Sequence, residues 1–547
     1  SASMAATTYD SIEKIWSGPK SKEYYGPDMT LGEVALLILK LHADKVMQVF
    51  DPTGEELTGG QLYEQSRLLA HAFQQLKLHR GDVVGISATN TTYLTEVVIA
   101  ALLNGMPINP LHPEFDKETI AYMYEITKPK VIFCDVDNYE TLAAVKQSLK
   151  FETELILLSG SLPGVRNIQD LLRDGARTSL SLFRFACPQL SGDDTAFIIS
   201  SSGVTGLPKG VTRSHRSLLN NTKIPQLFTA KTVLFCFSPL YWVSCIFTLF
   251  ASLVNGCKRV ITNRPFSAAY FAELVARHEI NFVLTVPHHM ALLAKSPQSA
   301  QLLPQLRSLH SIVCSGSKLP LAIWRQLYEL LGRDRFAVLY GLSEIGGVSK
   351  NVGGPLGSEG KLLRNVQVRL LDEQGNALGP NQTGHIHIRL NQRWGGYYRN
   401  PQDTQTTLTA DGQWLLTGDH GYFDDEGQLH FQTRDSDVFR YNHFQIYPKQ
   451  IEDVILHLPG VHEVAIFGVP DDISTYLTAA AVVREQDALG QQLSAEQVSG
   501  IVQEHLSEAF HLRGGVYFVD ALPKTTNKKI LRRQILAELK LNLSSTH

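Results

Sequence analysis

Two kinds of apolar segment alternate in the first third of the chain. Val131–Asp135 and residues 155–158 are mostly apolar runs of strand length, and Tyr139–Ser148 between them has apolar residues at helical spacing. The same order occurs earlier, where a short apolar run at 82–86 precedes a helical pattern in Leu94–Leu103. Apolar strands that alternate with helices are typical of parallel sheets covered on both faces. The pattern predicts an α/β fold with largely parallel, buried sheets.

After Pro355 the pattern changes to alternating apolar and polar residues. Val366–Leu371 and residues 385–390 have the period of two that half-exposed antiparallel strands show. A last block, from about Arg434, has strand and helix patterns of its own. We therefore predict a large multi-subdomain N-terminal region (residues 1–433) with mostly parallel sheets plus a small β-rich part. A small, mobile α+β domain is expected in residues 434–547.

Residues 232–257 have no charged side chain and exceed the ~20 residues that a membrane-spanning helix needs. Pro239 would break such a helix in its first third, and an Asn-Gly pair ends the run. We predict a buried strand at 233–237, a turn, and a buried helix that begins near Trp242, rather than a membrane span.

Composition restricts the classes of function. The chain has 547 residues, enough for two or more domains, and a formal net charge of −3 gives no basic field for nucleic acid. Its six cysteines are scattered without metal-site spacing, which favours a reducing compartment. We expect an intracellular protein. The C-terminal Ser-Thr-His shares only its serine with the S-K-L peroxisomal signal, so cytoplasm and peroxisome both stay open.

A serine- and glycine-rich segment, SSSGVTGLPKG at 200–210, follows a β-rich run and precedes a predicted helix at 214–221. The amides and hydroxyls of such a loop can surround phosphate oxygens, to which a lysine adds positive charge. It lacks the spacing of the Walker A motif. Surface loops are also rich in Gly and Ser, but the preceding strand and the Pro-Lys-Gly ending favour phosphate binding. The candidate phosphate-binding residues are Ser201, Ser202, Gly203, Thr205, Gly206 and Lys209.

Further motifs follow in a fixed order: YGLSE at 340–344, TGD at 417–419, RDSD at 434–437 with Ile446 and Pro448, and PKTTNKKI at 523–530. Together with the glycine-rich segment they resemble the superfamily of acyl-CoA synthetases, non-ribosomal peptide synthetase adenylation domains and beetle luciferases. The similarity extends over roughly residues 30–540, and the luciferase and 4-coumarate ligase subfamilies look closest.

The resemblance implies a role for each motif. Lys529 is expected to stabilise the transition state of adenylation, in which charge grows on the transferring phosphate. Glu344, beside Ser343 in the same catalytic motif, is expected to help hold Mg²⁺, which prefers carboxylate and phosphate oxygens. Without their motifs, Glu344 would be interpreted as a solvated turn residue and Lys529 as part of a solvated basic face.

The nucleotide and acid sites follow from the same resemblance. Asp419 would accept hydrogen bonds from both ribose hydroxyls, and Arg434 would support the nucleotide near a hinge. The remaining residues implied for AMP binding are Tyr340 and Gly341. Those implied for the acid pocket are Trp242, Ser244, Thr248, Gly316, Gly341 and Val348, and those for the CoA region are Arg440 and His443.

Several positions depart from the family pattern. Lys528 replaces the glycine before the catalytic lysine, and His443 replaces a glycine that leaves room for the pantetheine thiol. Tyr241-Trp242 replaces the His-His pair of beetle luciferases, and Asn221 replaces their arginine near the luciferin pocket. These departures leave the expected adenylation step in place and affect the thioester and light-emitting steps.

The expected activity is that of an AMP-forming acid–thiol ligase. A fatty or aromatic acid would be activated with ATP and Mg²⁺ to an acyl-adenylate with release of pyrophosphate, and the acyl group would then be transferred to CoA, the expected co-substrate. A luciferase-like adenylating oxidase and a degenerate nucleotide- or acid-binding protein without thioester turnover stay open as alternatives. No nucleic-acid partner is expected, and the oligomeric state stays open.

Overall fold

Four β-sheets organise the part of the chain that the structure describes. The computed structural model describes residues 7–177, 190–202, 208–434, 438–442, 444–524 and 530–544. The strands are β1 (Thr8–Asp10), β2 (Ile15–Ser17), β3 (Val46–Phe50), β4 (Glu55–Thr58), β5 (Val84–Ser87), β6 (Ile108–Pro110), β7 (Val131–Asp135), β8 (Glu154–Ser159), β9 (Thr195–Ser202), β10 (Pro208–Ser214), β11 (Val233–Phe235), β12 (Lys258–Ile261), β13 (Phe282–Thr285), β14 (Ser311–Ser315), β15 (Phe336–Leu342), β16 (Gly346–Val352), β17 (Lys361–Leu362), β18 (Val366–Leu371), β19 (Gly384–Leu390), β20 (Leu415–Phe423), β21 (Leu429–Arg434), β22 (Phe439–Tyr441), β23 (Phe444–Ile446), β24 (Val461–Asp471), β25 (Thr475–Arg484) and β26 (Gly515–Phe518).

Side-chain caps define the start of many helices. At α2, for example, the Thr58 hydroxyl accepts from the backbone amide of Gln61, and the Gln61 side-chain oxygen accepts from the backbone amide of Thr58. This reciprocal pair is a capping box. The helices are α1 (Leu31–Leu41), α2 (Gly59–Gln75), α3 (Leu94–Leu103), α4 (Lys117–Thr127), α5 (Tyr139–Ser148), α6 (Ile168–Ala176), α7 (His215–Thr222), α8 (Val243–Asn255), α9 (Ala268–His278), α10 (Pro287–Ala294), α11 (Ser299–Leu302), α12 (Leu321–Leu331), α13 (Pro401–Thr407), α14 (Pro448–Leu456), α15 (Ala488–Gln492), α16 (Ala495–His505) and α17 (Arg532–Ser544).

Two sheets of mainly parallel strands form most of the N-terminal region. One has the order β10-β9-β6-β5-β7-β8, and the other has the order β17-β16-β15-β14-β13-β11-β12-β3-β4, with antiparallel strands only at the edges. Every residue of α3 is buried, because this helix packs with α1, α2 and α8 into the largest apolar cluster. The predicted α/β class with largely parallel, buried sheets is therefore confirmed.

The β-rich part is an antiparallel sheet with the order β1-β2-β18-β19-β20-β21. Its apolar face is held together by aromatic contacts, such as the ring of Trp16 stacked on Phe423 with centroids 4.5 Å apart. The C-terminal region is built on β22 to β26, with α14, α16 and α17 packed against them. The alternating pattern seen in Val366–Leu371 corresponds to β18, whose partner is β19.

The uncharged run at 232–257 folds as predicted, into β11, a turn, and the buried helix α8, for which Trp242 is the N-cap residue. Among the described residues, no helix is both long and apolar enough to cross a membrane.

One element differs from the prediction. The residues from Pro208 to Ser214 form β10, an antiparallel partner of β9, whereas the sequence predicted a loop that leads directly to a helix. Val211 and Thr212 are β-branched and buried, so the return strand covers the sheet edge before α7 begins. Lys209 therefore belongs to a strand.

Candidate active site

The carboxylate of Asp419 joins three residues that are distant in sequence. The Tyr340 hydroxyl donates to one Asp419 oxygen at 2.6 Å, and Arg434 donates from Nη2 at 2.9 Å and also from Nε. Asp419 and Arg434 are cross-strand partners on β20 and β21, and Tyr340 lies on β15 of the neighbouring sheet. Three of the four residues implied for AMP binding are thus brought together, and the fourth, Gly341, follows Tyr340 on β15.

Burial and charge are balanced in this cluster. Burial alone would lower the pKa of Arg434, but the Asp419 carboxylate outweighs it and raises the pKa above the ordinary value. Burial and the charge of Asp419 both raise the pKa of Tyr340. The arginine therefore stays positive and the tyrosine stays a hydrogen-bond donor at neutral pH. Such fixed donors and acceptors suit ribose hydroxyls and phosphate oxygens.

Glu344 lies close to this cluster. Its carboxylate accepts from the Tyr397 hydroxyl at 3.1 Å, and burial raises the pKa of Glu344 against the opposing effects of a backbone hydrogen bond and the Arg434 charge. The Ser343 carbonyl accepts from Arg213 at 3.1 Å. Burial lowers the pKa of Arg213 to about 10, although the Glu344 charge opposes this. Glu344 is thus a half-buried acid close to two arginine charges.

The donor set fits Mg²⁺ only together with a phosphate. Within the described residues, no group of three or more His, Cys, Asp or Glu side chains could hold a metal ion. Mg²⁺ commonly binds one or two carboxylates together with substrate phosphates. Glu344 can supply one such carboxylate, so the residues fit an ion that arrives with its nucleotide.

The described part of the glycine-rich segment holds polar groups at the end of the β9–β10 hairpin. Lys209, only 5% exposed, places Nζ 2.7 Å from Asp403 and 4.9 Å from the centroid of the Tyr397 ring. Opposite it in the hairpin lies Ser201. The hydroxyls of Ser200 and Ser201 are buried without a hydrogen-bond partner among the described residues. They could donate to phosphate oxygens.

Several of the predicted site residues are not among the residues that the structure describes. Gly203, Thr205 and Gly206 are outside the described residues, and so is the side chain of Ser202. The same holds for Lys529 and His443. Their predicted roles in phosphate binding, catalysis and the CoA region stay predictions.

A C-terminal arginine reaches the predicted acid pocket. The Arg440 guanidinium on β22 lies 5.1 Å from the centroid of the Trp242 ring. At Gly316, which has a φ of +114°, an added Cβ would lie 3.5 Å from Nη1 of Arg440. Burial and the charge of Arg434 lower the pKa of Arg440 to about 10. The indole nitrogen of Trp242 is buried and has no hydrogen-bond partner in the described part of the chain.

The other residues predicted for the acid pocket differ in how deeply they are buried. Ser244 is half-buried in the first turn of α8, and Gly341 packs so closely on the Gly346 carbonyl that a Cβ would approach it to 2.7 Å. Thr248 and Val348 are almost fully buried, at 1% and 0% exposure. The Thr248 hydroxyl lies 3.1 Å from the Cys236 sulfur, and Val348 packs in the core of the β-rich part. Neither side chain faces open space in this structure.

Three residues of the site were missed by the sequence analysis. Arg213, Tyr397 and Asp403 contact Ser343, Glu344 and Lys209 respectively. Tyr397 precedes α13 and Asp403 lies in its first turn, where Asn400 caps the helix and Pro401 begins it. That signal predicts a helix start but does not indicate which side chains the helix brings to the site.

This chain is similar in sequence to known proteins over most of its length. The chain matches the AMP-binding enzyme family over residues 39–398 and the AMP-binding enzyme C-terminal domain over residues 450–529. A luciferin 4-monooxygenase of Photuris pensylvanica is 27% identical over 93% of this chain and 96% of its own length. 4-Coumarate–CoA ligase 3 of Oryza sativa subsp. japonica is 27% identical over 89% of this chain and 88% of its own.

The fold also has a solved counterpart. The structure of an amide bond synthetase from Marinactinospora thermotolerans has a TM-score of 0.78 and 23% identity, with 93% of this chain and 99% of that one covered. The fold is that of the adenylate-forming enzymes. The chain belongs to the AMP-binding enzyme family.

Proposed function

We propose that this protein is an AMP-forming acid–thiol ligase, which activates a fatty or aromatic carboxylic acid with ATP and transfers the acyl group to CoA. The observation that carries the proposal is the cluster of Tyr340, Asp419 and Arg434 next to the half-buried Glu344. The similarity to a 4-coumarate–CoA ligase over most of both chains supports the thiol as acceptor.

In the first half-reaction, a carboxylate oxygen of the acid attacks the α-phosphorus of ATP, and the bond to pyrophosphate breaks. Asp419 binds the ribose hydroxyls, while Ser201 and Lys209 donate to phosphate oxygens. Glu344 would hold Mg²⁺ together with the phosphates, and the bound ion would supply positive charge against the negative charge that repels the carboxylate. Lys529 donates to the transferring phosphate, where charge develops.

In the second half-reaction, the sulfur of CoA attacks the carbonyl carbon of the adenylate, and AMP leaves. Arg440 lies against Trp242 and Gly316, beside the proposed acid pocket, which supports a role close to the acyl group. We place the boundary between the adenylation domain (residues 1–433) and the C-terminal domain (residues 434–547) at the end of β21, just before its last residue, Arg434. Rotation about this boundary would exchange Lys529 for Arg440 at the site, a hinge motion of a common type.

Pyrophosphate release across a panel of fatty and aromatic acids, with and without CoA, tests the proposal. We expect acid-dependent release in both conditions and CoA-dependent formation of a thioester. Adenylate that forms and then consumes oxygen would favour the luciferase-like oxidase. Absence of pyrophosphate with every acid, although AMP binds, would favour the degenerate binding protein.

A further inference from the structure

A second buried carboxylate, that of Glu359, lies next to the proposed nucleotide site. Its backbone amide donates to the Leu429 carbonyl of β21 at 2.7 Å, which fixes the residue beside the strand that holds Arg434. The residue is only 8% exposed. Its carboxylate has no hydrogen-bond partner within the described ranges. A mostly buried carboxylate is poorly hydrated, so a hydrogen-bond donor from a ligand would stabilise it.

Charged and aromatic groups near Glu359 define what such a ligand would meet. Burial raises the pKa of Glu359 to about 7, the charge of Lys318 opposes this, and the charge of Asp419 adds to it. Leu429, which accepts from the Glu359 amide, and Phe431 lie two residues apart on β21. The Lys318 ammonium lies 5.9 Å from the centroid of the Phe431 ring, and that ring lies 6.3 Å from Tyr340.

These groups are of the kind that bind a planar base, which needs rings to stack on its faces and hydrogen-bonding groups at its edge. Two aromatic rings offer stacking surfaces, while the carboxylate offers an acceptor and the ammonium offers a donor. Adenine has the complementary edge, because its 6-amino group donates and the neighbouring ring nitrogens accept. Asp419, which would hold the ribose, is joined to Tyr340 by a 2.6 Å hydrogen bond.

We propose that Glu359 and Lys318 recognise the base of the nucleotide. Glu359 accepts a hydrogen bond from the 6-amino group of adenine, and Lys318 donates to a neighbouring ring nitrogen. This inference rests on the proposed function, since it deepens the nucleotide specificity of the same site. An oxygen at position 6, as in hypoxanthine, would place a lone pair against the carboxylate. The 6-oxo base should therefore be rejected more strongly than a base that only lacks the amino group.

The test compares ATP with purine riboside 5′-triphosphate, which lacks only the 6-amino group, and with ITP. In the wild-type protein we expect kcat/KM for adenylation to be about 10- to 100-fold higher with ATP than with the purine riboside analogue, as for a hydrogen bond to a charged group. Glu359→Val should reduce this ratio to near one. Glu359→Gln, whose amide oxygen can still accept, should give an intermediate ratio. Glu329→Gln, on the exposed face of α12, is the matched control and should keep the wild-type ratio.

A binding measurement separates this inference from the proposed function. Calorimetric titration with AMP and with purine riboside monophosphate requires no turnover, and we expect the same order of preference. Equal affinities, or a preference that Glu359→Val leaves unchanged, would overturn the inference even if adenylation is observed. Failure of all acids to release pyrophosphate, with the AMP preference intact, would overturn only the proposed reaction. Since Glu359 has no protein partner among the described residues, Glu359→Val should unfold at no lower temperature than the wild type.

Discussion

The Nζ atom of Lys209 lies 2.7 Å from the carboxylate of Asp403, so the lysine of the glycine-rich segment is neutralised by a residue of α13. Burial would raise the pKa of Asp403, but hydrogen bonds from Lys209 and Asn400 and the charge of Lys209 outweigh it and hold the pKa below its ordinary value. To bind a phosphate, Lys209 would have to share its charge between Asp403 and the ligand.

We expect Asp403→Asn to lower the free energy of unfolding by about 2–3 kcal/mol at pH 7, because it leaves a buried ammonium without its counter-charge. The effect should be below that of a fully buried pair, since the Asp403 side chain is 22% exposed. A carboxyl with a lowered folded-state pKa stabilises above its ordinary pKa, so the difference should shrink as the pH falls through the acidic range. Urea denaturation measures this. The double variant Lys209→Met, Asp403→Leu should recover most of the loss, and a failure to recover would contradict an ion-pair origin.

Glu96 on α3 should lower the free energy of unfolding as the pH rises, whereas the contribution of Asp403 increases with pH. It is fully buried, both carboxylate oxygens lack hydrogen-bond partners in the described residues, and burial raises its pKa to about 7. A carboxyl whose folded-state pKa is raised lowers stability as the pH rises from its ordinary pKa to the folded one. Glu96→Gln should therefore be more stable than the wild type at pH 8, by up to about 3 kcal/mol, with a smaller advantage near pH 5.

Chemical denaturation of both proteins across pH 5–8 measures this gap. Glu118→Gln, at an exposed position of α4, controls for the chemistry of the substitution. A gap that stays constant with pH would show that Glu96 does not titrate in this range in the folded protein.

Lys529→Ala should reduce adenylation far more than Lys528→Ala. By the resemblance, Lys529 is at the catalytic position and Lys528 at a glycine of the family motif. A donor to the transferring phosphate stabilises charge that grows in the transition state, worth roughly 2–4 kcal/mol. Pyrophosphate release in the first turnover is the measurement. Equal losses in the two variants would show that the motif is misaligned by one residue.

The thioester step should be slow compared with adenylation, so that acyl-AMP accumulates on the enzyme. His443 occupies the position of a family glycine, and an imidazole fills space that the pantetheine thiol would need. His443→Gly should speed thioester formation without changing pyrophosphate release in the first turnover. Single-turnover quenching with CoA measures both steps. Wild-type conversion of adenylate to thioester as fast as the adenylate forms would mean that His443 is no obstacle.

The sequence by itself determined the elements whose pattern is local. Tyr139–Ser148 and Leu94–Leu103 form helices with the predicted bounds, and Val131–Asp135 forms the predicted buried strand. In each case the period of apolar residues decides between helix and strand, and this period needs no knowledge of distant residues. The motifs likewise placed Tyr340, Asp419 and Arg434 at one site, because their order and spacing are specific to the family.

Only the tertiary structure decided which side chains complete that site. The pairing of Lys209 with Asp403, the contact of Arg440 with Trp242 and the burial of Glu359 all depend on segments that are far apart in sequence. The strand at Pro208–Ser214 was missed for a related reason, since a short glycine-containing run becomes a strand only when β9 supplies its hydrogen bonds. Hydrophobic period is a property of one segment, whereas charge pairing, burial and pKa depend on what the folded chain places around each group.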